Sequence, residues 1–128
     1  MIYGTGIDII DIKRIRRVIG KYGNRFKKKC FSDNEIERSD KRLNSVESYA
    51  KRYAAKEACA KALGTGLAIG VFWKDIEVQN NQFGKPFIKL HGKAKEIFKN
   101  MNRSSNTQIE VSLSDEKKYA IANVTIYD

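Results

Sequence analysis

Alanines at positions 50, 54, 58 and 62 recur every four residues, and Gly64 follows. Helical residues four apart share a face, so this spacing predicts a long helix carrying a stripe of small side chains. Another backbone can approach such a stripe closely. Asn44 followed by Glu47 supplies a start signal, and Gly64 a C′ stop, for a helix running to about Leu63. The rest of the chain must pack around that helix.

Residues 2–10, IYGTGIDII, are β-branched and aromatic residues broken by two glycines, which predicts a strand with Asp8 near its end. Ile12, Ile15, Val18 and Ile19 repeat at helical spacing over 12–22, and Gly23 with Asn24 ends that helix. In FSDNEIE, Ser32 and Glu35 stand at capping-box spacing. VFWKDIEVQ and KPFIKL read as strands flanking the hairpin-like connection NNQFG, with Pro86 at the start of the second. Ala94, Ile97, Phe98 and Met101 predict a short amphipathic helix over 92–101, and RSSNT a loop. Ile109, Val111 and Leu113 alternate in a further strand, SDEKK makes a turn, and Ala120, Ala122, Val124 and Ile126 share one face of the last. Strand, helices, then mostly strands predict an α+β fold with an antiparallel sheet.

A chain of 128 residues with no repeat, linker or compositional break reads as one domain, 1–128. Hydrophobic residues at 41% and charged residues at 31% predict a modest core, and so short a chain gains by hiding apolar area in an oligomer. Cys30 and Cys59 are too few and too far apart for a disulfide framework or a zinc site. Neither a leader-like apolar segment nor a run of the roughly 18 apolar residues of a membrane span is present, so the expectation is a soluble protein of a reducing cytoplasm. The formal net charge is +10, which implies an anionic partner. That charge is concentrated: Lys13, Arg14, Arg16, Arg17, Lys21, Arg25, Lys27, Lys28 and Lys29 fall in one stretch without an acid.

Glu57 and Lys61 are four apart and so share a helical face, with Arg52 and Tyr53 a turn earlier. On spacing alone this is a solvent-facing ion pair worth a few tenths of a kcal/mol, and Asp8 alone is as readily a turn or cap residue. If the fold brings Asp8 to Glu57, the reading sharpens. Magnesium is a hard cation held by one or two carboxylates, with water and substrate phosphate completing its shell. Asp8 and Glu57 would supply the carboxylates, and Lys61 and Arg52 would neutralise phosphate. The GTG triplets at 4–6 and 64–66 are not P-loops, which precede a helix and end in Gly-Lys-Ser/Thr. His91 reads as a surface or capping residue at a strand-to-helix junction. Ser112 and Ser114 lack any evident base for a hydrolase triad.

Taken together, GTGIDIIDIKRI, FSDNEIE, RYAAKEACAKALGTG, DIEV with GKP, and VSLSDEKKYAIANV resemble, in order and spacing and nearly from end to end, the small single-domain 4′-phosphopantetheinyl transferases called holo-acyl-carrier-protein synthases. The resemblance implies the fold of that family and transfer of 4′-phosphopantetheine from coenzyme A to a serine of apo-acyl carrier protein, releasing 3′,5′-ADP, in support of fatty acid biosynthesis. It implies a Mg²⁺ site at Asp8 and Glu57, with Lys61 on the coenzyme A diphosphate and Arg52 near the 3′-phosphate. Gly64, Thr65 and Gly66 match the loop lining the cofactor cleft, and Arg14 and Arg25 match positions that grip the acidic carrier protein. Family members are typically homotrimers with the cleft between subunits, so VSLSDEKK of one chain is expected to complete a neighbour's site. Glu110 departs from the pattern, since many relatives carry histidine there and a carboxylate would repel phosphate. Asp115 is a variant the family also shows.

The implied chemistry is attack of the carrier serine on the β-phosphate, with Lys61 offsetting charge on the leaving oxygen. Asp8, directly or through water, is the base favoured here, and Glu57 is the alternative. A nucleic-acid-binding module is the rival reading of the basic stretch. No recognised nucleic-acid motif is present, and aromatic residues do not interleave with the cations as such motifs require. A carrier domain of a larger synthase is a second acceptor that the sequence leaves open.

Overall fold

The structure is a computed structural model that describes residues 1–101 and 104–128. The elements run β1 (Ile2–Asp11), α1 (Ile12–Tyr22), α2 (Asn24–Cys30), α3 (Asp33–Asp40), α4 (Ser45–Ala62), a 3₁₀ turn (Trp73–Asp75), β2 (Ile76–Asn80), β3 (Pro86–Leu90), α5 (Gly92–Met101), β4 (Gln108–Asp115) and β5 (Tyr119–Tyr127). β1, β5 and β4 form an antiparallel sheet in that order, and β2 and β3 form a separate antiparallel hairpin. The α+β expectation holds. Among the described residues, no helix is long and apolar enough to cross a membrane.

The small-residue stripe of α4 lies against the three-stranded sheet. Ala50, Ala54 and Ala58 are fully buried, as are Ala120, Ala122, Val124 and Ile126 along the inner face of β5. β1 comes closest. A Cβ built on Gly6 would stand 1.8 Å from the Ala58 carbonyl oxygen, and one on Gly4 would stand 2.1 Å from that of Ala62. The first GTG is therefore glycine at both ends because helix backbone occupies the side-chain space. Strand residues alternate faces, so Gly4, Gly6, Asp8 and Ile10 all look toward α4, whereas Ile7 and Ile9 look away and are 60% and 58% exposed.

A second set of contacts fixes α3 and the hairpin to α4. Ser32 and Glu35 form the expected capping box: the Glu35 amide donates to Ser32 Oγ and the Ser32 amide to Glu35 Oε1. The Glu35 carboxylate does more than cap. It pairs with Lys56 Nζ at 2.8 Å, both side chains being wholly buried, and its other oxygen accepts from the Val78 amide at 3.2 Å. Lys56 also donates to the carbonyls of Trp73 and Ile76. A buried pair of this kind tolerates its desolvation because the remaining donors and acceptors are also bonded.

The structure corrects several local expectations. Gly23, at φ +52°, ends α1 as expected, but Asn24 opens α2, a helix with too little apolar periodicity to announce itself. Asn44 precedes α4 yet makes no side-chain capping bond, and Glu47 instead pairs with Arg16 at 3.3 Å. The strand expected over 71–79 starts only at Ile76. Asp75 accepts from the Phe72 amide and winds 73–75 into a 3₁₀ turn. β4 runs on to Asp115, so the turn is shorter than SDEKK. Of the RSSNT loop, Arg103 lies outside the described residues; 104–106 form a bend and turn.

The glycine positions should separate cleanly in thermal or chemical denaturation. Gly6→Ala is expected to cost about 3 kcal/mol or more, since backbone must move to admit the methyl group. Gly20→Ala, on an α1 position where a Cβ meets nothing within 4 Å, is expected to gain about 0.5–1 kcal/mol.

Candidate active site

The close approach of β1 to α4 carries Asp8 to the Glu57–Lys61 face of the helix. Lys61 Nζ lies 3.2 Å from Asp8 Oδ1 and donates to the Ile7 carbonyl at 2.9 Å. Burial, and then the negative charge of Asp8, push the Glu57 carboxyl above its ordinary range, and Lys61 and Arg14 offset part of that rise. A carboxylate raised in this way beside a second carboxylate is chemically suited to a divalent cation. Among the described residues no group of three or more His, Cys, Asp or Glu gathers as a metal cage. The chain would thus offer two hard oxygen ligands and leave the rest of an octahedral shell to water and phosphate.

The loop after α4 begins at the same end of the helix as Lys61. The Gly64 amide donates to the Lys61 carbonyl, and the amides of Thr65 and Gly66 both donate to that of Ala60. Gly64 and Gly66 take φ of +83° and +58° with open space where a Cβ would stand, so here the glycines serve the turn. The Thr65 hydroxyl is spent on the Gly66 carbonyl at 2.7 Å.

Tyr53 precedes Glu57 by one turn on the same face. Its ring stacks on Trp73 at 4.4 Å between centroids, and the Arg14 guanidinium lies 6.0 Å from its centre. Arg14 is therefore both part of the basic α1 surface and an electrostatic neighbour of Glu57, a double placement that spacing did not reveal. Arg25 stands apart on α2. It lines a groove of about 330 Å³ with Val18, Tyr22, Phe26 and Lys29.

Arg52 is not brought to Asp8 within this chain. Nine residues at about 100° each put it about 180° around α4 from Lys61. It is buried, donating to the Val78 carbonyl and, at 2.7 Å, to Asn80 Oδ1, while Nε lacks a partner among the described residues. There it lines a cavity of about 520 Å³ with Arg38, Lys41, Arg42 and Asn80. An adjoining cavity of about 420 Å³ shares Arg38, Arg42 and Arg52 and adds Lys51. Sequence reading missed Arg38, Lys41 and Arg42, although the three cations fall within five residues, Arg38 in the last turn of α3 and the others just beyond it. Lys51 pairs with Asp115 at 3.3 Å, and Glu110 with Lys85 at 3.1 Å, so Glu110 is charge-compensated. His91, between β3 and α5, meets Glu77 Oε1 through Nε2 at 3.1 Å. Cys30 and Cys59 are buried thiols, and burial pushes that of Cys59 up to about 12, which leaves it inert.

Comparison with known proteins places these features in a family. A profile of the 4′-phosphopantetheinyl transferase superfamily matches residues 4–124. A holo-acyl-carrier-protein synthase of Rhizobium leguminosarum bv. trifolii is 48% identical over 127 residues, covering 98% of this chain and 95% of the relative. Among solved structures, the holo-acyl-carrier-protein synthase of Neisseria meningitidis superposes with a TM-score of 0.89 at 33% identity, covering all of both chains. That of Bacillus anthracis, solved in complex with CoA (3′,5′-ADP), gives 0.78 at 34% identity over 98% of this chain and 96% of the other.

The cluster of Arg38, Lys41, Arg42 and Arg52 should bind a polyphosphate. Inorganic pyrophosphate at about ten times its dissociation constant is expected to raise the melting temperature by about 5 °C. Arg42→Gln should at least halve that rise in a thermal-shift titration.

Proposed function

The chain belongs to the 4′-phosphopantetheinyl transferase superfamily, and we propose that it acts as a holo-acyl-carrier-protein synthase, moving 4′-phosphopantetheine from coenzyme A to a serine of apo-acyl carrier protein in support of fatty acid biosynthesis. The observation that carries the reading is the meeting of Asp8, Glu57 and Lys61, two carboxylates and a cation from distant parts of the chain.

In this reading the serine Oγ attacks the β-phosphorus of coenzyme A. The bond from that phosphorus to the bridging oxygen breaks, and 3′,5′-ADP departs with the electron pair. Asp8 is the favoured acceptor for the serine proton. Lys61, at the end of α4, turns its ammonium to the diphosphate and offsets charge on the leaving oxygen. A Mg²⁺ ion, held by Asp8 and Glu57 when bound, would supply Lewis-acid stabilisation of the same charge. Gly64, Thr65 and Gly66 flank the diphosphate end.

Arg52 and its neighbours fit the 3′-phosphate, but they lie on the other side of α4 from the carboxylates. An arrangement in which one subunit offers Asp8, Glu57 and Lys61, and the next offers the basic cavity, reconciles the two. The outward face of the three-stranded sheet supports such an assembly: Ile7, Ile9, Tyr119 and Ile121 stand exposed together there, an apolar patch of the kind that marks interaction surfaces. A homotrimer with sites between subunits is the state proposed. Arg14 and Arg25 would meet the acidic carrier, complementary charge serving encounter rate and orientation more than affinity.

Mixing the protein with Mg²⁺, coenzyme A and apo-carrier should add the mass of one phosphopantetheine to the carrier. Asp8→Ala and Glu57→Ala should each slow this by at least about a hundredfold. A full rate in either variant would remove the carboxylate pair from the mechanism. Arg25→Glu is expected to raise the carrier KM about tenfold and leave kcat unchanged, whereas Arg14→Glu, beside Glu57, should alter both. Steady-state kinetics in carrier protein distinguishes the two.

A further inference from the structure

Lys61 does not wait in solvent for a phosphate. Its ammonium is held at two points on β1, by the Ile7 carbonyl at 2.9 Å and by Asp8 Oδ1 at 3.2 Å, although its side chain is half exposed and other orientations were open to it. The Asp8 side chain is only 19% exposed, and the second carboxylate, Glu57, lies alongside. A divalent ion on Asp8 would sit about 2.1 Å from its oxygen. With the ion on Oδ1, the oxygen that Lys61 already holds, the ammonium in its present place would lie within about 5 Å of it, close enough for two like charges to oppose each other appreciably even at a partly hydrated site.

From this geometry we infer that Lys61 is a resident counter-ion of the carboxylate pair: it competes with the divalent cation for Asp8 in the free protein and is drawn off when a diphosphate arrives. The inference rests on the proposed metal site and adds a consequence to it. The free protein holds a divalent ion weakly, and the ion and coenzyme A strengthen each other's binding, because the diphosphate gives the displaced ammonium a new partner. By linkage the effect is reciprocal.

The test uses Mn²⁺ as the probe, with free ion counted by its electron paramagnetic resonance signal, on the full chain without carrier protein. Lys61→Met should bind Mn²⁺ about fivefold more tightly than the native protein, and Lys61→Arg, which retains the charge, should stay within about twofold of it. Coenzyme A should strengthen Mn²⁺ binding by a larger factor in the native protein than in Lys61→Met. Matched circular dichroism and melting curves confirm that each variant folds, and Lys61→Gln serves as a second neutral variant. If the native protein binds Mn²⁺, Asp8→Asn abolishes that binding, and both neutral Lys61 variants bind no more tightly than native, the counter-ion role is overturned and the metal site stands. If neither the native protein nor the neutral variants bind Mn²⁺, with or without coenzyme A, the metal site and the inference built on it fall together.

Discussion

The site depends on the absence of two side chains. Where β1 crosses α4, Gly4 and Gly6 leave room for the carbonyls of Ala62 and Ala58, and the two backbones come as near as packing allows. Two residues of strand span about 6.6 Å and four residues of helix about 6.0 Å, so a glycine at every second strand position can stay in step with a small residue at every fourth helical one. The next inward residue of β1 is Asp8. The same register that seats the glycines therefore delivers a carboxylate to the part of the helix that bears Glu57. A bulkier strand would stand off from the helix, and the two acids would part.

Much of this was legible because it follows from periodicity. The alanine row, the stop at Gly64, the capping box at Ser32 and Glu35, and the alternation of β5 each depend on neighbours close in sequence, and the structure shows all of them. What was hidden depends on neighbours distant in sequence. Glu35 reads as a cap, and nothing local says that its carboxylate also reaches Lys56, 21 residues on. Arg52 was grouped with Glu57 and Lys61 because it is near them in the chain, yet helical geometry sends it to the other side. The α2 segment hid for another reason: NRFKKKC shows only Phe26 and Cys30 at helical spacing, and its helix is held by rings packed beneath it, Phe26 against Phe31 and Tyr53.

Helix α4 thus acts as a partition for charge. On one side stand Asp8 and Glu57, with Lys61 and Arg14 near them; on the other, four cations around a cavity backed by β2. The hairpin carrying β2 is fixed to the helix by Lys56 and Arg52, which donate to carbonyls on either side of Glu77. Arg52 and Lys56, one turn apart on that face, hold the frame, and Arg52 also lines the basic cavity. This explains why the basic content of the chain reads poorly as a single surface.

The buried Glu35–Lys56 pair has a consequence for how such a sequence drifts over generations. Losing either partner alone strands an uncompensated charge in the interior, at a cost of about 3–5 kcal/mol, a large share of the stability of a chain this size. Losing both together for well-packed apolar residues can be nearly neutral. The two positions are therefore locked against single changes although neither touches the reaction, and descendants of this chain should keep the pair or replace it whole.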